Sequence, residues 1–241
     1  MYSKLLDSVG LFNYTTGTEL NFRYKTVGDN VVSNMNEVLT KNNINPKMIY
    51  SCFQTHSNRV EDINNPEFKD FPYGKIILDT DGLITNEKNT ALITKFADCT
   101  PIILFDAKNK IQASLHSGWR GTSKEISTVA INKLINEYNS SIEDIYAFIG
   151  PSIDSNLYEV GEDVYEEFKH FSYRDEFFTK KENNKFILDM KEINKKILLQ
   201  NNIPEKNIEV SNLNTFSNKN LHSARRDSPN YGLNMTISII K

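Results

Sequence analysis

The sequence predicts a mixed α/β fold with α+β character, in which helices flank mixed β-sheets. Three observations support this prediction. Short apolar runs of strand length are separated by turn residues, amphipathic helical stretches lie between them, and no repeat, linker or charge block divides the chain. Because local meanders of strands alternate with helical crossovers, helices are expected to cover mixed sheets. We predict one domain over residues 1–241.

The first half of the chain predicts one helix and then a series of strands. The helix begins near residues 28–30, Gly-Asp-Asn, where Val32, Met35 and Leu39 recur at intervals of three or four residues. The apolar runs that follow match the length of strands. The predicted strands are Met48–Phe53, Ile76–Leu78, Ala91–Thr94, Ile102–Phe105 and Ile111–Leu115.

The second half predicts three helices and two further strands. Residues 122–125, Thr-Ser-Lys-Glu, match a capping box and predict a helix from Thr122 to about Tyr138. A second capping box at Asp189 predicts a helix through Leu199. The remaining predicted elements are the strand Ile145–Ile149, the helix Glu162–Phe171 and the strand Met235–Ile240.

Composition limits the classes of partner. Lys and Arg number 28 against 31 Asp and Glu, so the net charge is −3 and the pI is near 5.9. Such a chain has no overall positive field for nucleic acid or an anionic membrane, and no window approaches the ~18 apolar residues of a membrane span. Two cysteines are too few for a disulfide framework, and the N-terminus lacks the apolar run of a signal peptide. We expect a cytoplasmic protein, a monomer or a weak homodimer.

Three short runs carry most of the candidate chemistry. They are Gln54-Thr55-His56, Ala97-Asp98-Cys99-Thr100-Pro101 and His116-Ser117-Gly118-Trp119-Arg120-Gly121. His56, Cys99 and His116 each lie at or just beyond the end of a predicted strand. Thiolate and imidazole are ligands that zinc prefers, and three protein ligands leave one tetrahedral position open, as in catalytic zinc sites. Separations of 43 and 17 residues exclude a zinc-finger pattern.

The same residues permit other interpretations. Two histidines and a cysteine are also a copper set, although the 4 histidines of the chain are too few for a multicopper oxidase. Cys99 activated by His116 would form a nucleophilic dyad. A buried Cys99 with two unrelated histidines, or a cleft that binds a ligand without turnover, are the remaining alternatives.

Charged and aromatic neighbours supply candidate substrate contacts. Arg120 is a bidentate donor suited to phosphate or carboxylate, and Trp119 offers a stacking surface or a core side chain. Asp81 and Asp98 are candidate proton carriers or partners of the imidazoles, whereas Asp79 is the less favoured aspartate because only one of a closely spaced pair normally turns inward.

Six runs together resemble the motifs of the YfiH, or laccase-domain, family, and they occur in the family's order over almost the whole chain. Besides the three runs above, they are Asp81–Thr85, Ile149–Ile153 and Tyr158–Gly161. The resemblance implies a mixed-sheet fold related to toxin deamidases, with His56, Cys99 and His116 as zinc ligands. It implies a phosphorylase that cleaves adenosine, inosine and methylthioadenosine with phosphate and also deaminates adenosine. An earlier interpretation of the family implies a copper-dependent polyphenol oxidase.

The candidate residues follow from these motifs. Those predicted to act in catalysis are Cys99, His116, Asp81 and Asp98, and those predicted to bind substrate or phosphate are Arg120, Trp119 and Arg225. The C-terminal part departs from the family's pattern, because Asn214 stands where members commonly carry Cys and Leu233 where they carry Arg. Neither position belongs to the predicted metal ligands.

Overall fold

The computed structural model of the protein describes residues 1–64 and 67–241. The strands are β1 Leu11–Thr15, β2 Met48–Cys52, β3 Val60–Asp62, β4 Phe68–Phe71, β5 Gly74–Ile77, β6 Gly82–Thr85, β7 Thr90–Phe96, β8 Thr100–Asp106, β9 Ile111–Ser117, β10 Ile145–Ile149, β11 Glu159–Gly161, β12 Phe178–Lys180, β13 Lys185–Leu188, β14 Ile208–Val210 and β15 Asn234–Ile240. The helices are α1 Lys4–Ser8, α2 Tyr24–Val27, α3 Asn30–Lys41, α4 Trp119–Ser123, α5 Ile126–Tyr138, α6 Glu162–Glu167, α7 Met190–Gln200 and α8 Ala224–Asp227.

The described residues form two six-stranded mixed sheets and one small antiparallel sheet. The first sheet has the order β1-β15-β7-β2-β5-β4, and the second has the order β14-β10-β8-β9-β6-β3. In the first sheet, β2 runs parallel to both β7 and β5. In the second, β8, β9 and β6 are antiparallel neighbours. The small sheet has the order β11-β13-β12.

Hydroxyl and amide groups join the facing sides of the two large sheets. Thr94 on β7 and Ser114 on β9 share a 2.8 Å hydrogen bond between their hydroxyl oxygens. The amide of Gln112 donates to the backbone oxygen of Thr90 at 3.0 Å. Because buried polar groups need partners, these hydrogen bonds fix the position of β7 relative to β9 across the two sheets.

Helices cover the outer faces of the sheets. Helix α3 buries Val31, Met35 and Val38 against the first sheet, which explains the spacing of apolar residues in its sequence. Helices α5 and α7 pack on the second sheet through one continuous apolar cluster. In the part of the chain described, no helix has the length and apolar character needed to cross a membrane.

Most predicted elements are confirmed. The helix after Gly28 and all seven predicted strands are present, with ends that differ by up to two residues. The Asp189 cap is also confirmed, since its carboxylate accepts from the N–H groups of Lys191 and Glu192 at the start of α7. The strands that the sequence did not predict have only three to five residues, so their local pattern is short.

Two helix predictions are wrong at their ends. Thr122 does not begin a helix: α4 starts at Trp119, and Glu125, with φ of 54°, breaks the chain before α5. The Thr122 hydroxyl donates back to the Gly118 oxygen instead of capping. Helix α6 ends at Glu167 rather than Phe171, because the chain turns there and buries Phe168 and Phe171 in the aromatic core beneath the small sheet.

Candidate active site

Strand pairing brings His56, Cys99 and His116 together. Strands β2 and β7 are parallel, so the loop after β2 that holds His56 and the turn after β7 that holds Cys99 lie at the same sheet edge. Strands β8 and β9 are antiparallel, with Pro101 opposite His116, so the turn that precedes β8 lies beside His116. One ligand atom from each of the three residues lies within 4.8 Å of the others. The fold therefore brings the three candidate ligands to one place, where they could hold a metal ion.

One donor pair of the cluster is spaced nearly as two ligands of a tetrahedral metal ion are. Cys99 Sγ and His56 Nε2 are 3.8 Å apart. Two ligands of one tetrahedral zinc, a sulfur at about 2.3 Å and a nitrogen at about 2.0 Å, are about 3.5 Å apart. Two imidazoles and one thiolate suit zinc and also copper, so the geometry supports a metal without deciding which one.

Asp81, which is fully buried just before β6, connects two of the three residues. Its Oδ1 accepts from the backbone N–H of His56 at 3.0 Å and from His116 Nδ1 at 2.8 Å. An ionised carboxylate only accepts, so His116 Nδ1 carries a proton and the other ring nitrogen, Nε2, faces the site. A metal-binding histidine is usually oriented by such a carboxylate.

The other carboxylate oxygen of Asp81 fixes the loop that holds His56. It accepts from the N–H and hydroxyl of Ser57 at 2.7 and 2.8 Å, and from the N–H of Thr55 at 3.1 Å. Burial alone would raise the pKa of Asp81, but hydrogen bonds from His116 and Ser57 lower that pKa to about 2. Asp81 is therefore ionised throughout the physiological range and holds the site in place.

Gly118 allows the closest approach in the site. A Cβ at this position would lie 2.7 Å from Cδ2 of His56 and 3.1 Å from Sγ of Cys99. Any side chain would push both ligands out of place. This contact explains the glycine in the His116–Gly121 run, where α4 begins directly after the strand that ends at Ser117.

The thiol of Cys99 and the imidazole of His116 stabilise each other's charged forms. Burial would raise the pKa of Cys99, but the charges and hydrogen bonds of His116 and His56 lower that pKa to about 6. Burial would lower the pKa of His116, but the Cys99 thiolate and Asp81 raise that pKa to about 9. The sulfur is thus a thiolate at neutral pH, which is the form required of both a metal ligand and a nucleophile.

Asp98 joins the Cys99 turn to the C-terminal segment. Its backbone is left-handed, with φ of 85°. One carboxylate oxygen accepts from the Thr215 hydroxyl at 2.5 Å, and the other accepts from the backbone N–H of Arg225 at 2.7 Å. Both oxygens are therefore engaged, and their contacts favour a positioning role over proton transfer.

The predicted substrate-binding residues lie beside the site on aromatic surfaces. Trp119 is half-buried and packs on the aromatic core beneath the small sheet, and the exposed guanidinium of Arg120 lies 4.1 Å from its ring centroid. The Arg225 guanidinium lies 5.5 Å from the ring centroid of Tyr158 and donates to the Glu159 oxygen. Within the part of the chain that the structure describes, neither Arg120 nor Arg225 lines the cavity next to the candidate metal ligands.

The cavity beside the three ligands has a volume of about 400 Å³. Besides His56, Cys99 and His116, its walls include Phe53, Lys95, Tyr231 and Leu233. Leu233 is one of the two positions at which the C-terminal motif departs from the family. The other, Asn214, accepts a hydrogen bond from Lys191 at 2.7 Å. An apolar side chain thus forms the cavity wall at position 233.

Sequence reasoning did not identify Phe53, Gln54 or Lys95 as site residues. The amide of Gln54 accepts from the backbone N–H of Lys95 at 3.0 Å and donates to its oxygen at 2.7 Å, which locks the end of β7 to the His56 loop. A lysine within the apolar run of β7 is the signal that was available. Phe53 has no comparable signal, because its importance comes from its exposure, 55%, at the cavity wall.

Comparison with known proteins identifies the family. The family model described as multi-copper polyphenol oxidoreductase laccase matches residues 11–241. Purine nucleoside phosphorylase YlmD of Bacillus subtilis is 33% identical over 187 residues, which cover 76% of this chain and 67% of that protein. A purine nucleoside phosphorylase of Bacteroides thetaiotaomicron is 36% identical over 61% of this chain, and the chain spans only 55% of that relative. Adenosine deaminase RL5, from an unknown prokaryotic organism, is 32% identical over 76% of this chain and 71% of its own length.

Two solved structures share the fold. The Bacillus licheniformis protein YfiH has a TM-score of 0.86 at 27% identity, covering 92% of this chain and 85% of that one. YlmD from Geobacillus stearothermophilus has a TM-score of 0.84 at 21% identity over 99% and 94% of the two chains, which supports the fold alone. The mixed α/β fold predicted from sequence is therefore confirmed, and the named relatives place the chain in an enzyme family. The chain belongs to the laccase-domain family of YfiH and YlmD, whose named relatives include purine nucleoside phosphorylases and an adenosine deaminase.

Proposed function

We propose that this protein is a zinc-dependent purine nucleoside phosphorylase that cleaves adenosine, inosine and methylthioadenosine with phosphate and also deaminates adenosine. The observation that carries the proposal is the convergence of His56, Cys99 and His116 at a cavity, with their donor atoms within 4.8 Å of one another. The names of the relatives supply the substrate class. A cavity of about 400 Å³ is in the range of small-molecule sites.

Each site residue has a defined part in this proposal. Bound zinc supplies Lewis-acid chemistry and lowers the pKa of a bound water. Cys99 enters as the thiolate that His116 and His56 stabilise. Asp81 fixes the tautomer of His116 and the loop of His56, so the ligands are preorganised before substrate binds. Phe53 offers an exposed aromatic face at the cavity wall on which a purine base can stack.

The test combines metal analysis with product analysis. Protein purified without added metal should contain about one zinc per chain. It should release free base from inosine only when phosphate is present, and it should convert adenosine to inosine without phosphate. Chelation should abolish both reactions and zinc should restore them. A zinc-loaded protein that performs neither reaction contradicts the proposal.

A copper oxidase is the second candidate, because the description of the matching family model names copper and the donor set also suits that metal. Copper in the purified protein and oxygen uptake with a phenol would favour it. A thiol hydrolase is the third, because the pKa of Cys99 is low enough for a nucleophile. Alkylation of Cys99 at the same rate with and without zinc would favour that role over metal binding.

A further inference from the structure

Lys95 is a cation within a strand that is otherwise apolar or hydroxylic. Strand β7 reads Thr-Ala-Leu-Ile-Thr-Lys-Phe, and its other residues are buried. Lys95 lines the same cavity as the three candidate metal ligands. A lysine in such a position costs desolvation free energy unless something compensates its charge. Its presence therefore calls for an explanation.

The backbone of Lys95 is held on two sides. The amide of Gln54 binds both its N–H and its oxygen, at 3.0 and 2.7 Å. Met235 of β15 is its partner across the antiparallel ladder. Because Gln54 lies two residues before His56, the position of Lys95 is fixed relative to the metal ligands. The side chain of Lys95 therefore extends from a backbone position fixed in a strand, not from a loop.

The ammonium of Lys95 has apolar surroundings. It lies 5.5 Å from the centroid of the Phe71 ring. Within residues 1–64 and 67–241 it forms no hydrogen bond and no ion pair with a carboxylate. Burial lowers the pKa of Lys95 to about 8, with the nearby Cys52 thiol opposing that shift. At neutral pH the amine is therefore still mostly protonated and has unused donors.

The arginines predicted to bind phosphate are differently placed. Arg120 and Arg225 are exposed, lie over the rings of Trp119 and Tyr158, and are not among the described cavity-lining residues. Among the described residues, the cavity wall contains one basic side chain of this kind, that of Lys95. An ammonium with free donors in a largely apolar wall suits a small oxyanion.

We propose that Lys95 binds the phosphate co-substrate, and that it does so in place of the two arginines. This inference rests on the proposed phosphorylase function for its substrate and on the cavity wall for its location. Phosphate bound there would share one cavity with the metal ligands, as an attack on a nucleoside held beside them requires.

The test replaces the charge and keeps the shape. In Lys95→Met, the KM for phosphate should rise about 10- to 100-fold, because one charge-assisted hydrogen bond is lost, whereas the KM for inosine should change less than twofold. Lys95→Arg should recover most of the loss. Lys180→Met, at an exposed position on β12, is the matched control and should leave both KM values unchanged. If Lys95→Met does not fold, Lys95→Gln provides a neutral polar variant for the same measurement.

The outcomes separate this inference from the proposed function. An unchanged KM for phosphate in a neutral Lys95 variant of an active enzyme overturns the role of Lys95 and leaves the phosphorylase function intact. If the wild type has no phosphorolytic activity, the proposed function fails. Titration of inorganic phosphate into the zinc-loaded protein then tests separately whether Lys95 binds phosphate. Phosphate binding that is lost in Lys95→Met supports this role. Binding that is equal in both proteins, or absent from the wild type, overturns it.

Discussion

The two sides of the candidate site are built in different ways. On the ligand side, three strand ends place His56, Cys99 and His116, and the buried carboxylate of Asp81 connects two of them. On the C-terminal side, Asp98 attaches a loop segment through Thr215 and the backbone of Arg225, and the exposed guanidinium of Arg225 lies 5.5 Å from the ring centroid of the half-buried Tyr158. The ligand side is held by the buried carboxylate of Asp81, whereas the Arg225 side chain on the C-terminal side is exposed. Substitutions on the two sides should therefore differ in their effects.

The largest expected effect is the loss of the thiolate on the ligand side. Cys99→Ala should remove metal from the purified protein and lower kcat/KM at least about 1,000-fold, because two imidazoles alone bind zinc weakly and the thiolate is absent. Metal content by mass spectrometry and initial rates are the measurements. Cys52→Ala is the control, since Cys52 is buried, its thiol pKa is raised, and it is not one of the three ligands. Full metal content in Cys99→Ala would contradict the triad.

The next effect breaks the connection between the ligands. In Asp81→Asn the amide oxygen can still accept, but the amide nitrogen faces donors, so the orientation of His116 and the loop of His56 are both disturbed. Metal affinity should fall about 10- to 100-fold, as expected for an outer partner of a metal-binding histidine. Asp79→Asn, at an exposed neighbouring position, should leave affinity unchanged. Equal zinc affinity in Asp81→Asn and the wild type would show that the carboxylate does not position the ligands.

The charge state of Cys99 predicts that the alkylation rate of this residue, on the ligand side, depends on pH. Because its pKa is lowered to about 6, the thiolate predominates above pH 6 and is lost as the pH falls through that value. Alkylation of the metal-free protein by iodoacetamide should therefore be nearly constant from pH 7 to 8 and fall about tenfold between pH 7 and pH 5. Bound zinc should slow it at every pH. A rate that keeps rising up to pH 9 would indicate an ordinary thiol.

The smallest effect is expected on the C-terminal side. Arg225→Met removes a guanidinium that stacks on Tyr158 and donates to the Glu159 oxygen, but it keeps the backbone N–H that Asp98 uses. We expect the KM for nucleoside to change about twofold to threefold, with metal content unchanged, since exposed charges contribute little. A fall in metal affinity as large as that expected for Asp81→Asn would contradict this difference between the two sides.

Local patterns explain what could be predicted. The spacing of Val32, Met35 and Leu39 and the cap at Asp189 depend on residues a few positions apart. Both helices are present, although α3 buries Val31, Met35 and Val38. The Thr122 capping box failed because Gly118 and the His56 loop pack against α4 and place its start at Trp119. A local signal was present there, but a tertiary contact decided the outcome.

The same distinction holds for the site. Residue types and motif order determined the donor set, the family and the candidate ligands, since these depend only on chemistry and position along the chain. The tertiary structure decided which partners meet. Asp98 reaches Thr215 across 117 positions, and Gln54 fixes Lys95 across 41. Such pairs follow from strand pairing and loop packing, which no local window of sequence contains. The sequence therefore named the candidate metal ligands, and the fold decided that Asp81 holds two of them and that Lys95, rather than the arginines, lines the cavity.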